Sequence, residues 1–304
     1  MAATFDVDRV SRFMSAPDGL RLHYLEYCAD TASDSVIVCL PGLSRTAEDF
    51  DGLARLLAIS PSGQRRRILA LDYRGRGLSG WDADPTHYAL PVEHSDILAV
   101  LDAAGVTRAI FIGTSRGGLH TMMMAAMQPA RLRAAVLNDI GPVIERSGLM
   151  RIKGYVGKLP ALRSWDDAVG LLRKTVGANF TNLSAADWSK FTHLTYREEN
   201  GVFRLPYDPQ LARNLDATTA DSSLPDMWPQ FEAMANIPVL GIRGENSDIL
   251  SAETLAEMAR RHPHFQGHVV VGQGHPPLLL DPPTIAVIET FVAQVEWLNR
   301  DPIG

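Results

Sequence analysis

Cysteine is scarce in this chain. Its 304 residues include two, Cys28 and Cys39, and neither stands in a CxxC or Cys/His ligand spacing, so no disulfide framework and no metal site are expected. Cys39 lies in the apolar run VIVCL, where a packed thiol is the expectation. Long apolar runs are also missing. None reaches the ~18 residues of a membrane span, and the opening MAATFDVDRV has neither the basic start nor the apolar stretch of a signal peptide. A cytoplasmic, reducing setting without a membrane partner is therefore expected. Runs of one charge are absent as well: the net charge is -6 and Lys and Arg are scattered, which leaves no basic face for nucleic acid. No internal repeat or low-complexity linker interrupts the chain.

What the chain has is 46% hydrophobic content, enough to bury a sizeable core. Short β-branched runs alternate with helical patterns in the first half, the sequence sign of parallel βαβ units. SRFMSAP and LRLHYLEY read as an opening antiparallel pair, and SVIVCL, RRILALDY, RAIFIG and RAAVLND read as buried strands. Helices are expected at AEDFDGLARLLA, HSDILAVLDAAG and GGLHTMMMAAMQPARL. From about Val143 to about Phe231 the helical segments are irregular and no buried-strand run occurs. IPVLGIRGE, a helix at SAETLAEMARRH, the strand HVVVGQG and a closing helix then restore the alternation. The expected fold is α/β: a mostly parallel sheet flanked by helices, with residues 1–141 and 233–304 as the core and 142–232 as an inserted helical cap.

The stretch FIGTSRGGLH carries the first chemical signal. Gly113-Thr114-Ser115-Arg116-Gly117 fits G-x-S-x-G. At average Gly and Ser usage the bare pattern arises in roughly one 300-residue chain in ten, so it means little without its setting. Here a buried strand leads in and a helix leads out, which is the strand-turn-helix setting the motif needs. A serine on so tight a turn projects above the sheet, and only glycine avoids backbone collision two residues to either side. Gly118 lets the helix pack close and aim its N-terminal N–H groups at the site.

A serine hydroxyl needs a base, and the base needs an orienting carboxylate. His275 follows the strand HVVVGQG, and Asp248 in RGENSDIL follows IPVLGIR, both at the carboxyl ends of strands where α/β sites assemble. Ser115, Asp248, His275 is the chain order of the nucleophile-elbow hydrolases. Asp139, closing RAAVLND, is the competing acid and is read as a structural carboxylate.

Four motifs taken in order, LPGLSR, DYRGRGLS, GTSRGG, and RGENSD with GQGHPP, make nearly the whole chain resemble the α/β-hydrolase fold superfamily, in particular its cap-bearing serine hydrolases. The resemblance implies Ser115 as nucleophile, His275 as base and then acid, Asp248 as orienting carboxylate, and the backbone N–H groups of Leu43 and Arg116 as oxyanion hole. Pro41-Gly42 stands where many relatives carry His-Gly; a backbone donor survives that change. The implied activity is hydrolysis of a small to medium, largely apolar carboxylic ester through an acyl-enzyme, with no cofactor. The same triad serves C–C hydrolysis, lactone hydrolysis or acyl transfer, and a ligand-binding receptor of the same fold is the alternative from another class. A serine at position 115 disfavours an aspartate-nucleophile dehalogenase or epoxide hydrolase. Homo-oligomerisation is left open.

Other residues have plainer readings. His120 and the methionines around it are expected to pack behind the nucleophile, while His262, His264 and His268 are assigned to a polar connection. DYRGRGLSG lacks phosphate-loop spacing and is expected to support the site from the side. Arg45 is expected to contact solvent or the cap rather than a substrate carboxylate. Tyr155, Trp165, Phe180 and Trp188 are candidate pocket aromatics. The Arg116 side chain is expected to brace the turn against a carboxylate such as Asp139, because an unpaired buried guanidinium is costly.

Overall fold

The computed structural model describes residues 7–31, 36–216, 219 and 226–298. Residues 1–6, which open the stretch read above for a signal peptide, lie outside that range. Strands β1 (Arg9–Ser15) and β2 (Arg21–Tyr27) form the antiparallel opening pair; β3 (Val36–Leu40), helix α1 (Asp51–Leu57), β4 (Arg67–Asp72), α2 (Leu90–Ala103), β5 (Ala109–Thr114), α3 (Arg116–Met127) and β6 (Leu132–Asn138) follow. After an inserted segment come β9 (Val239–Gly244), α8 (Ala252–Arg261), β10 (Phe265–Val270) and α9 (Pro282–Leu298).

These strands make one sheet in the order β1-β2-β4-β3-β5-β6-β9-β10, antiparallel at the β1/β2 and β2/β4 pairings and parallel from β4 onward. Every residue of β3 and β5 is buried, because helices cover both faces. Successive side chains point to opposite faces, so Val38 and Leu40 pack with Ile97 and Leu101 of α2 and Met122 of α3. Ile37 and Cys39 pack instead with Leu53 of α1 and Ile288 and Phe291 of α9. Full burial of a side chain such as Phe111 or Phe291 contributes roughly 1.5–3 kcal/mol. Cys28 and Cys39 are buried free thiols, and burial pushes the Cys39 thiol up.

Two sequence readings shift. The last strand spans Phe265–Val270 rather than HVVVGQG; it is an edge strand, half exposed, and so carries no continuous apolar run. His268 lies in β10, and His262, although in the connection between α8 and β10, is buried with Nε2 2.9 Å from the Met234 carbonyl oxygen.

Between β6 and β9 run α4 (Arg146–Tyr155), α5 (Trp165–Val176) and α6 (Ala185–Thr195), then a two-stranded hairpin of β7 (Arg197–Glu199) and β8 (Val202–Arg204), and finally α7 (Trp228–Glu232). The hairpin is too short and polar to read as a strand pair from sequence. Ser164 and Ser184 cap α5 and α6 through their hydroxyls, and Ala168, Leu172, Phe180, Trp188 and Phe191 form a separate apolar cluster. Beyond the hairpin, Tyr207, Leu211 and Phe231 join the main core instead. Pro206 O accepts from Gly77 N at 2.8 Å, which ties this return to the loop after β4.

Candidate active site

Consecutive strands depart to opposite sides of β3, since β4 lies on one flank and β5 on the other. The carboxyl edge near such a reversal leaves a crevice, and the loops after β3, β5, β6, β9 and β10 bring Leu43, Ser115, Asp139, Asp248 and His275 to that edge.

Ser115 joins β5 to α3 with φ +51° and ψ -111°, a left-handed conformation that non-glycine residues rarely adopt. The surrounding glycines make it attainable. A Cβ at Gly113 would lie 2.5 Å from the Gly117 carbonyl carbon, one at Gly117 would lie 2.0 Å from Leu40 O, and one at Gly118 would meet Ile140 at 2.1 Å. Ser115 N donates to Asn138 O at 2.9 Å, which anchors the turn to β6.

Ser115 Oγ lies 2.9 Å from His275 Nε2, and His275 Nδ1 lies 2.8 Å from Asp139 Oδ2. Asp139 is completely buried, with φ +58°, a region that aspartate tolerates better than most residues. Its Oδ1 accepts from Gly244 N at 2.7 Å and its Oδ2 from Ser247 Oγ at 2.6 Å. A carboxylate so held fixes the imidazole tautomer: Nδ1 donates to it, and Nε2 is left to accept from the serine. Asn138 supports the histidine loop by donating to Pro277 O at 3.0 Å.

The expectation that Asp248 orients His275 is not met, since Asp139 occupies that position. Asp248 is drawn into a two-point pair with Arg151 of α4, Nε to Oδ2 at 2.5 Å and Nη2 to Oδ1 at 2.7 Å. Burial would raise the Asp248 carboxyl, but Arg151 outweighs burial and, with a smaller contribution from His275, holds it below the usual range. Asp248 is thus near enough to feel the histidine's charge while its oxygens are committed elsewhere.

The segments that carry Leu43 and Arg116 both adjoin Ser115. A Cβ on Gly42 would lie 3.8 Å from Ser115 Cβ, so the loop after β3 runs against Ser115, and Arg116 opens α3, where a backbone N–H has no carbonyl one turn earlier to bond. The Arg116 side chain pairs with Glu93 of α2 rather than with Asp139: Nε donates to Oε2 at 2.6 Å, and Nη2 donates to Tyr88 O at 2.8 Å. Asp139 faces the opposite side of the turn, already filled by its own donors. His120 is fully buried on α3, 3.2 Å from Glu93, and burial pushes it down to about 4 despite that neighbour.

A cavity of about 250 Å³ opens from Pro41, Thr114 and His275 toward the inserted segment. Tyr155 lines it as expected, but Trp165, Phe180 and Trp188 do not; they pack among themselves and their neighbours, and Phe191, Tyr196 and Tyr207 supply the other aromatic walls. Arg45 also lines the cavity, held by Asp49 at 2.5 and 2.9 Å and by Thr195 Oγ1 of α6 at 2.8 Å, a contact to the segment between β6 and β9. Asp18, Asp82 and His87 form a group of metal-ligating types away from this cavity, but Arg74 Nη1 already pairs with both carboxylates, at 2.9 and 2.7 Å. No helix among the described residues is long and apolar enough to cross a membrane.

The profile of the alpha/beta hydrolase family matches residues 37–289. The chain belongs to that family. This alpha/beta hydrolase is 34% identical over 284 residues to the 3-hydroxybutyrate-oligomer hydrolase of Cupriavidus necator, covering 91% of this chain and 94% of the other. A crystal structure of an alpha/beta hydrolase from Novosphingobium aromaticivorans is similar with a TM-score of 0.87 at 37% identity, over 95% of this chain and all of that one (100%). The 2-(acetamidomethylene)succinate hydrolase of Mesorhizobium japonicum is 28% identical over 246 residues, 81% of this chain and 83% of the other.

Glu93 and Arg76 were not singled out from the sequence. The helix after the loop DYRGRGLSG was read from His94 onward, and α2 in fact begins at Leu90 with a proline in its first turn, which places Glu93 on the buried face. An acidic residue on the first turn of a helix otherwise facing the core was the available signal.

Proposed function

We propose that this chain is a serine hydrolase that cleaves a carboxylic ester through an acyl-enzyme, with Ser115 as nucleophile, His275 as general base and then acid, and Asp139 as the orienting carboxylate. The observation that carries the reading is the continuous relay Ser115 Oγ to His275 Nε2 to Asp139, at 2.9 and 2.8 Å. Ser115 attacks the ester carbonyl carbon as its proton passes to His275; the oxyanion is held by the N–H groups of Leu43 and Arg116; the leaving alcohol departs with the proton from His275. Water then attacks the acyl-enzyme by the same steps and releases the acid. The described residues of 142–232 act as a cap over the cavity, whose lining is largely apolar but includes Arg45 and Lys158, a composition that suits a short aliphatic ester bearing an acidic terminus. The similarity to a 3-hydroxybutyrate-oligomer hydrolase supports short hydroxyalkanoate oligoesters as the substrate class.

Labelling with a fluorophosphonate probe, together with turnover of an ester, lactone and diketone panel including hydroxybutyrate dimers and trimers, tests this. Wild type is expected to label and to cleave the esters, and Ser115→Ala to do neither, with turnover lower by roughly 10⁵ or more. Turnover retained in Ser115→Ala removes the serine mechanism, and cleavage of the diketone alone moves the reaction to C–C hydrolysis.

A further inference from the structure

Behind the nucleophile lies a largely buried ionic cluster that no step above uses. Glu93 and Arg76 are both fully buried, and Arg76 Nη1 sits 2.6 Å from Glu93 Oε1, an ion pair whose angle is not that of an aligned hydrogen bond. The other carboxylate oxygen accepts from Arg116 Nε at 2.6 Å and lies 3.2 Å from His120 Nε2. His94 stacks on His120 with ring centroids 6.0 Å apart, and the Tyr73 ring lies 5.2 Å away on another side. Burial would raise the Glu93 carboxyl, but the charges of Arg116 and Arg76 outweigh it and, with His120, hold it far below the usual range. Glu93 is therefore ionised wherever the protein is folded near neutral pH, and the cluster holds two cations against one anion.

The cluster grips both sides of the crevice. Arg76 Nε donates to Leu43 O at 2.8 Å, which fixes the loop after β3. Tyr73 Oη donates to Pro41 O at 3.2 Å, two residues earlier in that loop. On the other side, Arg116 is the residue whose own backbone N–H opens α3 beside Ser115. A single carboxylate thus joins, through two guanidinium groups, the two separate backbone segments that carry Leu43 and Arg116. Oxyanion donors act only within a few tenths of an ångström of the right place, so whatever sets the separation of these segments sets the strength of the hole.

We infer that Glu93 is a positioning residue for the oxyanion hole, holding the Leu43 and Arg116 segments at their working separation through Arg76 and Arg116. The inference rests on the serine-hydrolase reading. It makes an expectation opposite to that of simple electrostatics. Glu93→Gln removes a negative charge behind the hole, which by charge alone would favour an oxyanion; loss of positioning weakens it.

The test compares wild type, Glu93→Gln and Ser115→Ala in kcat, KM and inhibition by a trifluoromethyl ketone analogue of a good ester substrate, with circular dichroism to establish folding. Glu93→Gln is expected to lower kcat roughly 10- to 100-fold and to weaken the ketone by a matching factor, with KM within about threefold of wild type. A folded Glu93→Gln whose kcat and ketone affinity stay within about threefold, or improve, overturns the positioning role. So does a fall in kcat with ketone affinity unchanged. Should Glu93→Gln fail to fold, Arg116→Lys at the cluster's partly exposed edge carries the test: it keeps the charge but loses the fork, and a matched fall of roughly fivefold is expected, while unchanged values overturn the inference. Turnover retained in Ser115→Ala would instead remove the serine reading and this inference with it, so the two failures are distinguishable.

Discussion

Two aspartates stand at neighbouring strand ends, Asp139 after β6 and Asp248 after β9, and the structure gives them opposite circumstances. Asp139 is sealed from solvent and accepts from Gly244 N, Ser247 Oγ and His275. Asp248 keeps 20% of its side chain exposed and pairs with Arg151 across to the inserted segment. Ser…Asp…His chain order admits both, the resemblance favours Asp248 after β9, and geometry favours Asp139. A carboxylate orients a histidine only if its own position is fixed and its oxygens are free to face the ring. Burial and a ring of short donors meet the first condition for Asp139, and capture by a guanidinium removes the second for Asp248.

The contrast can be broken most directly by exchanging amide for acid at each site. Asp139→Asn is expected to lower kcat by roughly 10⁴, because the amide presents an N–H to His275 or leaves the wrong tautomer facing Ser115. Asp248→Asn is expected to change it by less than about threefold; steady-state turnover of the same ester shows which is right, and the reverse ranking would return the acid to β9.

A finer comparison removes only one of Asp139's donors. Ser247→Ala takes away the 2.6 Å hydrogen bond without touching His275, and kcat is expected to fall about tenfold while probe labelling continues at a slower rate. No change in the labelling rate would mean that Gly244 N alone fixes the carboxylate.

The smallest effect belongs to Asp248 and shows in stability. Its folded-state pKa is depressed, so its contribution is fully present above the unfolded value near 4 and is lost as pH falls through the folded one. Urea unfolding of Asp248→Asn is expected to show a loss of about 1 kcal/mol at pH 6 that shrinks progressively as pH is lowered below the unfolded value near 4, because the wild-type pair is itself lost as Asp248 protonates. A constant difference across this range would mean that packing, not charge, accounts for the loss.

Much of this molecule can be read from its residues in order. Continuous apolar strands such as AIFIGT declare a sheet covered on both faces, and glycine at 113, 117 and 118 declares a turn with no room for a side chain at those positions. The serine and the histidine were legible for the same reason: each is marked by its own neighbours. The carboxylate partners were not. Arg151 lies 97 residues from Asp248, and Glu93 lies 23 from Arg116. In both cases the expected partner was displaced by a charge on another element.

The sequence by itself determined the alternation of strand and helix, the tight turn at Ser115 and the place of His275 after the last strand, because local sterics and burial patterning need no knowledge of distant contacts. Only the tertiary structure decided which acid meets His275, what braces Arg116 and which aromatics face the cavity. Those choices depend on which groups arrive first at a buried charge, and in a low-dielectric interior that competition is settled by ångström-scale geometry between segments far apart in the chain.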